Sequence, residues 1–353
     1  MDILITALPF LLLGLIIWLA NMAENRRQRG EPYRSMAYAS YIPLLILYFG
    51  LFVGGLLLQG IALQLQNRDV ATQFNTLLPG GDAAQMVAGF GVYGWGVWLP
   101  ALVGMLLLSP RLRRPLARLI PIDPANIVHA VALSYTMLVI INLMFTLGAG
   151  IGNLATMAEA QSAAGDAPMV TLTGLWAQQI FTALLGVVGV GWLVHRNWAT
   201  ALQRLGIVRP SLSQVALGVG IGLGLVPVVM LIERVSSFFQ VAFDPDVERL
   251  TEQLLGPLFN TPLGILSIGA AAALGEETLL RGAVQPRFGL FFTALVFALL
   301  HSTYGLSLST LVVFILGLVL GIIRIRHNTS TAMIIHTIYN MTLALLAYFD
   351  IAF

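Results

Sequence analysis

Residues 262–284 read PLGILSIGAAAALGEETLLRGAV, an apolar run whose only charges are Glu276, Glu277 and Arg281 near its end. About 20 such residues, wound as an α-helix, cross the roughly 30 Å hydrocarbon core of a bilayer. An ionisable group at that depth costs at least about 2.5–3.5 kcal/mol, so it faces the interior of a helix bundle and not lipid. The stretch reads as a membrane span that carries chemistry.

Similar apolar runs fall near 3–20, 36–65, 87–108, 127–152, 174–194, 215–233, 288–304, 308–323 and 331–349, which makes about ten spans. Of 353 residues, 58% are hydrophobic and only 10% charged, where a soluble domain carries about a quarter. The fold class is therefore all-α, a polytopic transmembrane helix bundle. The run at 36–65 is longer than a crossing needs and is expected to tilt or project. The first run, Leu4 to Ala20, has neither a basic leader nor a small-residue cleavage site and reads as a retained span.

Charge supports the count. All 18 basic residues are Arg, and they alternate between connections. Segments 21–35, 109–126 and 195–214, the region of Arg281 and Arg287, and Arg324 with Arg326 hold 15 of them. Segments 66–86 (Arg68), 153–173 and 234–261 hold three. Positive charge is retained on the cytoplasmic side, so a multi-pass plasma-membrane protein with both termini outside is expected. The Arg residues lie between spans, which argues against nucleic acid as a partner. With no Cys, disulfides, thiolate nucleophiles and thiolate metal sites are excluded. No nucleotide-binding glycine fingerprint is present.

Glycines four residues apart recur at Gly50/Gly54, Gly218/Gly222, Gly220/Gly224 and Gly317/Gly321. Such spacing lets helices approach closely in lipid and reads as packing within one bundle more than as a dimer seam. Asp244-Pro245 opens a short helix, with an acceptor at the N-cap and Pro at the first helical position. Its stripe Leu250, Leu254, Leu255, Leu258 suits an outer membrane surface.

Two more spans carry polar residues one helical turn apart: Phe297 with His301, and His336 with Asn340. Glu277 and Arg281 share a helix face and suit an ion pair, leaving Glu276, pointing elsewhere, less compensated and more desolvated. Alone, each set has a bland reading: a juxtamembrane charge cluster, a satisfied core histidine, a packing hydrogen bond. Depth joins them. At 1.5 Å per residue, the two Glu lie roughly 15 Å from Arg287 and His301 roughly 21 Å; His336 and Asn340 lie roughly 15 and 21 Å from Arg326. All reach the bilayer middle, so a catalytic cavity near the midplane is expected between the C-terminal helices.

Carboxylate, imidazoles and amide without a thiol suggest hydrolysis by activated water. Glu276 is the candidate base, His301 helps orient or deprotonate the water, and His336 with Asn340 donates to the developing oxyanion. No cofactor is required on this reading. The same Glu276, His301 and His336 also suit a divalent metal such as zinc in a two-His, one-carboxylate set, although the paired H-E-x-x-H spacing is missing. Ser and Thr show no nucleophile-elbow pattern.

Together the motifs resemble those of the CAAX protease and bacteriocin-processing enzyme family, called CPBP or Abi, which includes the type II CAAX prenyl endopeptidases. Its E-E-x-x-x-R-G is similar to Glu276, Glu277, Arg281 and Gly282; its F-x-x-x-H to Phe297 and His301; its H-x-x-x-N to His336 and Asn340. The likeness covers about 262–345, with a looser echo at Leu205-Gly206-Ile207. The resemblance implies a glutamate-type intramembrane endopeptidase, formerly read as a metalloprotease, in a core spanning 174–353. It gives catalytic roles to Glu276 and His301, an ion-pair role to Glu277 and Arg281, and an oxyanion role to His336 and Asn340. Its expected partner is a membrane-associated protein or peptide in the lipid bilayer, for peptide processing, bacteriocin immunity or signalling rather than prenyl-CAAX cleavage. The four-span region 1–173 resembles nothing and has no assigned role. Alternatives are a non-proteolytic immunity or scaffold protein with a degenerate site, and a proton-coupled transporter, which the lack of inverted-repeat hydropathy disfavours.

Overall fold

The computed structural model describes residues 2–67, 83–165, 168–239 and 243–351, with side chains left out at 2–5 and 83–88. Arg68, the one basic residue of 66–86, lies outside the described residues. In chain order the helices are α1 Asp2–Gln28, α2 Arg34–Leu65, α3 Ala83–Leu106, α4 Pro110–Leu116, α5 Ile127–Ala149, α6 Ile151–Ala163, α7 Leu172–Gly189, α8 Trp198–Leu205, α9 Leu212–Phe238 and α10 Pro245–Phe259. Then α11, Pro262–Ala272, runs on as a π-helix, Ala273–Val284, and a last turn, α12 Gln285–Phe288. Next come α13 Leu290–Leu300, a 3₁₀ turn Ser302–Tyr304, α14 Leu308–Arg326 and α15 Thr329–Tyr348. No strand occurs among the described residues. The chain is an all-α polytopic bundle.

Among the described residues, nine helices are long and apolar enough to cross a membrane, and α13 is a tenth, shorter apolar helix. Its 11 residues rise only about 16 Å, half a bilayer. Irregular backbone from His301 onward makes up the rest of that run. Such backbone at membrane depth is tolerated where protein covers it or it lines a cavity. Here α5 and α6 cover it: Asn142 Nδ2 donates to Ser302 Oγ at 2.8 Å, and Gly305 abuts Leu147 and Ile151. The expected span 288–304 is therefore half helix and half turn.

Local chemistry sets the ends. Ser211 and Gln214 form a reciprocal capping box on α9; Thr261 caps α11 ahead of Pro262; Asn328 caps α15 through Thr331 N–H. Side-chain acceptors take up the amides that a helix start leaves unbonded. Gly289, at φ +83°, makes the left-handed turn that reverses the chain between α12 and α13.

Two cores hold the bundle. One joins α1, α2, α3 and α5 around Leu44, Tyr48, Ala101 and Val131. The other joins α9, α13, α14, α15 and the π-helix around Phe297, Leu320 and Ile335. Helix α1 connects them by packing on α7, where Asn21 Nδ2 donates to Val188 O at 3.1 Å. Lipid-facing side chains such as Leu8, Ile46, Leu57 and Leu231 are left exposed around them.

The Arg-rich connections gather at one end of the bundle. Glu24 near the end of α1 accepts from Ile127 N–H at the start of α5, and Gly289 abuts Pro121. Arg113 is fully buried there, donating to Leu107 O and Pro124 O. Arg281 does not join this end; it is buried within the bundle.

Three local expectations change. Part of 153–173 is the helix α6, because Gly150 at φ +79° ends α5 and the chain starts a new helix at once. The Asp244-capped helix α10 forms with its cap, yet it does not rest on a bilayer surface alone: Leu250 and Leu254 pack on Ala155 and Ala158 of α6. The glycine pairs divide as well. A Cβ on Gly218 or Gly222 would collide with Ile334 or Ile338 of α15, and one on Gly317 or Gly321 with α13, whereas Gly50, Gly54, Gly220 and Gly224 have nothing within 4 Å.

Candidate active site

The span that opened the sequence reading is the most enclosed of the nine. In its apolar window 61% of residues are buried, against 17–39% in the others. Close packing begins at its glycines. A Cβ on Gly275 would lie 2.7 Å from Gln179 O, and one on Gly282 would lie 3.1 Å from Leu205 O. From the other side, Gly186 of α7 brings its backbone against Thr278 and Leu279.

Here the expected α-helix is a π-helix. Thr278 Oγ1 donates to Leu274 O at 2.6 Å, occupying the carbonyl four residues back, and Gln285 N–H bonds Leu280 O, five back. Hydroxyl back-bonding competes with the regular ladder, and π-helical turns concentrate at functional sites. Glu277 and Arg281 nonetheless meet, Nε to Oε2 at 3.3 Å, both fully buried. The contact is an ion pair without hydrogen-bond alignment, since neither atom has a hydrogen-bond partner.

Three elements converge on Phe297. The Arg281 guanidinium carbon lies 4.5 Å from its ring centroid, the His301 ring 5.0 Å away and the His336 ring 5.9 Å away. A cation over an aromatic face is attracted by the ring quadrupole. The two imidazoles, sharing this neighbour, stand within about one helix spacing of each other.

The remaining contacts assign ring nitrogens. His336 Nδ1 is 3.0 Å from Glu277 Oε1, and an ionised carboxylate only accepts, so Nδ1 carries the proton. His301 sits where α13 ends, and its Nδ1 lies 2.9 Å from Phe297 O. A carbonyl likewise only accepts, so the lone pair of neutral His301 is on Nε2. Tyr304 stacks on that ring, centroids 5.7 Å apart.

Glu276 and Glu277 differ in the opposite sense to the expectation. Glu277 is the fully desolvated one, compensated by Arg281 and His336. Glu276 is half-buried, accepts from Gln179 Nε2 at 3.3 Å, and keeps its buried Oε2 without a partner. One residue of helical rotation puts the first against the core and the second beside it. Asn340, one turn beyond His336 on α15, is half-buried and hydrogen-bonds to none of the other five. Glu277, Arg281, His301 and His336 are thus gathered on Phe297, with Glu276 adjacent and Asn340 apart.

Gln179 and Tyr304 escaped the sequence reading. Gln179 is 7% exposed in an apolar span, and an amide in that position is a signal the sequence carried. Unused capacity remains on Glu276 Oε2, Gln179 Oε1 and the Arg281 guanidinium, and buried polar atoms without partners ask for an explanation such as a reacting group. Among the described residues no three His, Asp or Glu side chains form a metal-ligand set.

No curated protein and no solved structure matches the chain. Residues 258–342 match the family described as type II CAAX prenyl endopeptidase Rce1-like, which supports an intramembrane CAAX protease-type function. All six polar motif residues fall inside that segment, and the chain is thus a multi-pass membrane protein whose residues 258–342 belong to the CAAX protease family.

Proposed function

We propose that this chain is an intramembrane endopeptidase that hydrolyses a peptide bond of a membrane-associated protein or peptide with water activated by Glu276. One observation carries the proposal: Glu277 is fully engaged by Arg281 and His336, which leaves the adjacent Glu276 half-buried with a free carboxylate oxygen. Two neighbouring carboxylates in different surroundings take different roles.

In the proposed reaction, Glu276 takes a proton from water while His301 Nε2 orients it. The hydroxide attacks the scissile carbonyl carbon, and the carbonyl oxygen becomes an oxyanion. Asn340 donates to it from its amide. His336 donates from Nε2 when its ring is protonated, a state the Glu277 carboxylate favours. Collapse breaks the C–N bond, and Glu276 returns the proton to the leaving amine. Preorganised donors of this type contribute about 10²–10³ in turnover each.

Since no three-residue ligand set is gathered, the proposal gives water activation to the carboxylate. Exhaustive chelation is expected to leave turnover unchanged. Loss on chelation with recovery on added zinc would make Glu276, His301 and His336 metal ligands instead. The purified protein, incubated with a membrane-peptide library, is expected to cleave a subset of peptides that the Glu276→Ala variant leaves intact. Binding without cleavage by the wild type would favour an immunity or scaffold protein.

A further inference from the structure

Below the π-helix, at the Arg-rich end, four arginines crowd together without a counter-charge. Arg204 ends α8 and reaches Gly282 O with Nη1 at 3.4 Å. The Arg324 guanidinium lies over Gly206, so close that a Cβ there would sit 2.7 Å from it. Its Nε is buried with no hydrogen-bond partner. Arg287 is exposed on α12, and Arg196 bonds only Val190 O and the His195 ring.

No carboxylate forms an ion pair with any of the four among the described residues. Burial, followed by the charges of Arg287, Arg196 and Arg324, pushes Arg204 down to about 10. Burial and Arg287 lower Arg196 too. Four mutually repelling cations held by the fold make a site for an anion.

Its location identifies the anion. Arg287 and Arg324 lie near the ends of spans 262–288 and 308–326, and Arg196 and Arg204 lie between spans 172–189 and 212–238. That is the level of lipid phosphates. Beside it an apolar groove of about 270 Å³ runs between α1 and α7, lined by Phe10, Trp18, Phe181, Leu185, Trp192 and Leu193. The groove reaches Trp192 and Leu193, within four residues of Arg196, so a chain in it would carry its polar end toward the cluster.

We propose that Arg196, Arg204, Arg287 and Arg324 bind the phosphate headgroup of an anionic phospholipid whose acyl chain lies in the α1–α7 groove. Juxtamembrane arginines gain from anionic lipid surfaces in general; here they are arranged around one point. The inference does not depend on the peptidase reading.

The test is thermal melting of the purified full chain in neutral detergent with phosphatidylglycerol, phosphatidylcholine or inorganic phosphate at equal concentration. Ligands that bind only the folded state raise the midpoint. The wild type is expected to gain about 2–4 °C more from phosphatidylglycerol than from phosphatidylcholine, and less from phosphate. Arg287→Gln and Arg204→Gln should lose most of that difference. In phosphatidylcholine they should melt no lower than wild type, because one of four like charges is gone. Arg118→Gln, exposed on another Arg-rich connection, should keep the gain.

Arginines that merely cap helix ends would behave differently: both variants would melt lower in either lipid and keep the difference. That result overturns the site, as does an equal response of the wild type to both lipids. A phosphate response matching that of phosphatidylglycerol overturns the lipid as occupant. Arg287 is exposed, so its variant decides the matter even if Arg204→Gln misfolds.

Discussion

His336 Nδ1 lies 3.0 Å from Glu277 Oε1, and both side chains are shielded from solvent. With Arg281 Nε 3.3 Å from the other oxygen, one carboxylate joins the π-helix to α15 and balances a buried cation. The motif's second glutamate is thereby occupied, and the first remains for chemistry.

Removing the cation from this arrangement strands a charge. Breaking a buried pair by deleting one partner costs about 3–5 kcal/mol, and Arg281→Ala also gives up the contact with Phe297. The variant is expected to show a clearly lower melting midpoint and poor expression together with lost activity. Unchanged melting would mean that Glu277 is not ionised in the folded protein.

Gly275→Ala tests the junction of α7 with the π-helix. The added methyl would lie 2.7 Å from Gln179 O and 2.0 Å from its Oε1, and backbone cannot give way as a side chain does. Overpacking costs about 1–3 kcal/mol, and here it displaces the amide that bonds Glu276. Activity should therefore fall further than the loss of stability accounts for; a variant with wild-type melting and turnover would show that this contact is not tight.

The outer helix pair gives a pH dependence. Glu159 on α6 is held below its ordinary 4.5 by the hydrogen bond from Arg249 on α10 and by its charge, against a small effect of burial. A depressed carboxyl stabilises above its unfolded value, and the contribution disappears as pH falls through the folded value. Wild type should out-melt Glu159→Gln at neutral pH by a small margin that closes in acid. A margin that persists at acid pH would assign it to packing.

How much could be read from the chain depended on the scale of each signal. Long apolar runs and alternating Arg reported the bundle, since bilayer thickness sets span length whatever the neighbours. The ion pair of Glu277 with Arg281 was also legible, because residues four apart share a face in α- and π-helices alike. The π-helix itself was not; it depends on Thr278 taking the Leu274 carbonyl and on α7 pressing against Gly275. Nor was the relative burial of the two glutamates, which α15 decides by bringing His336 to Glu277. The early end of α13 at His301 follows from contacts with α5 and α6, distant in sequence. An apolar stripe cannot tell membrane from partner helix, hence the misplacement of α10.

Orientation in the bilayer is proposed from the Arg distribution alone. The wild type lacks Cys, so single-Cys variants are straightforward. A Cys at Ser109 should resist an impermeant thiol reagent in intact cells, while one at Ser307 should react. The reverse pattern would invert the protein.

The most direct measurement compares turnover of one cleaved membrane peptide by wild type and Glu276→Gln, with melting followed in parallel. The substitution keeps shape and the contact with Gln179 but removes the base. Peptide cleavage should be abolished while the midpoint stays near that of wild type. Wild-type turnover in Glu276→Gln would contradict the assignment and leave Glu277 as the next carboxylate to test.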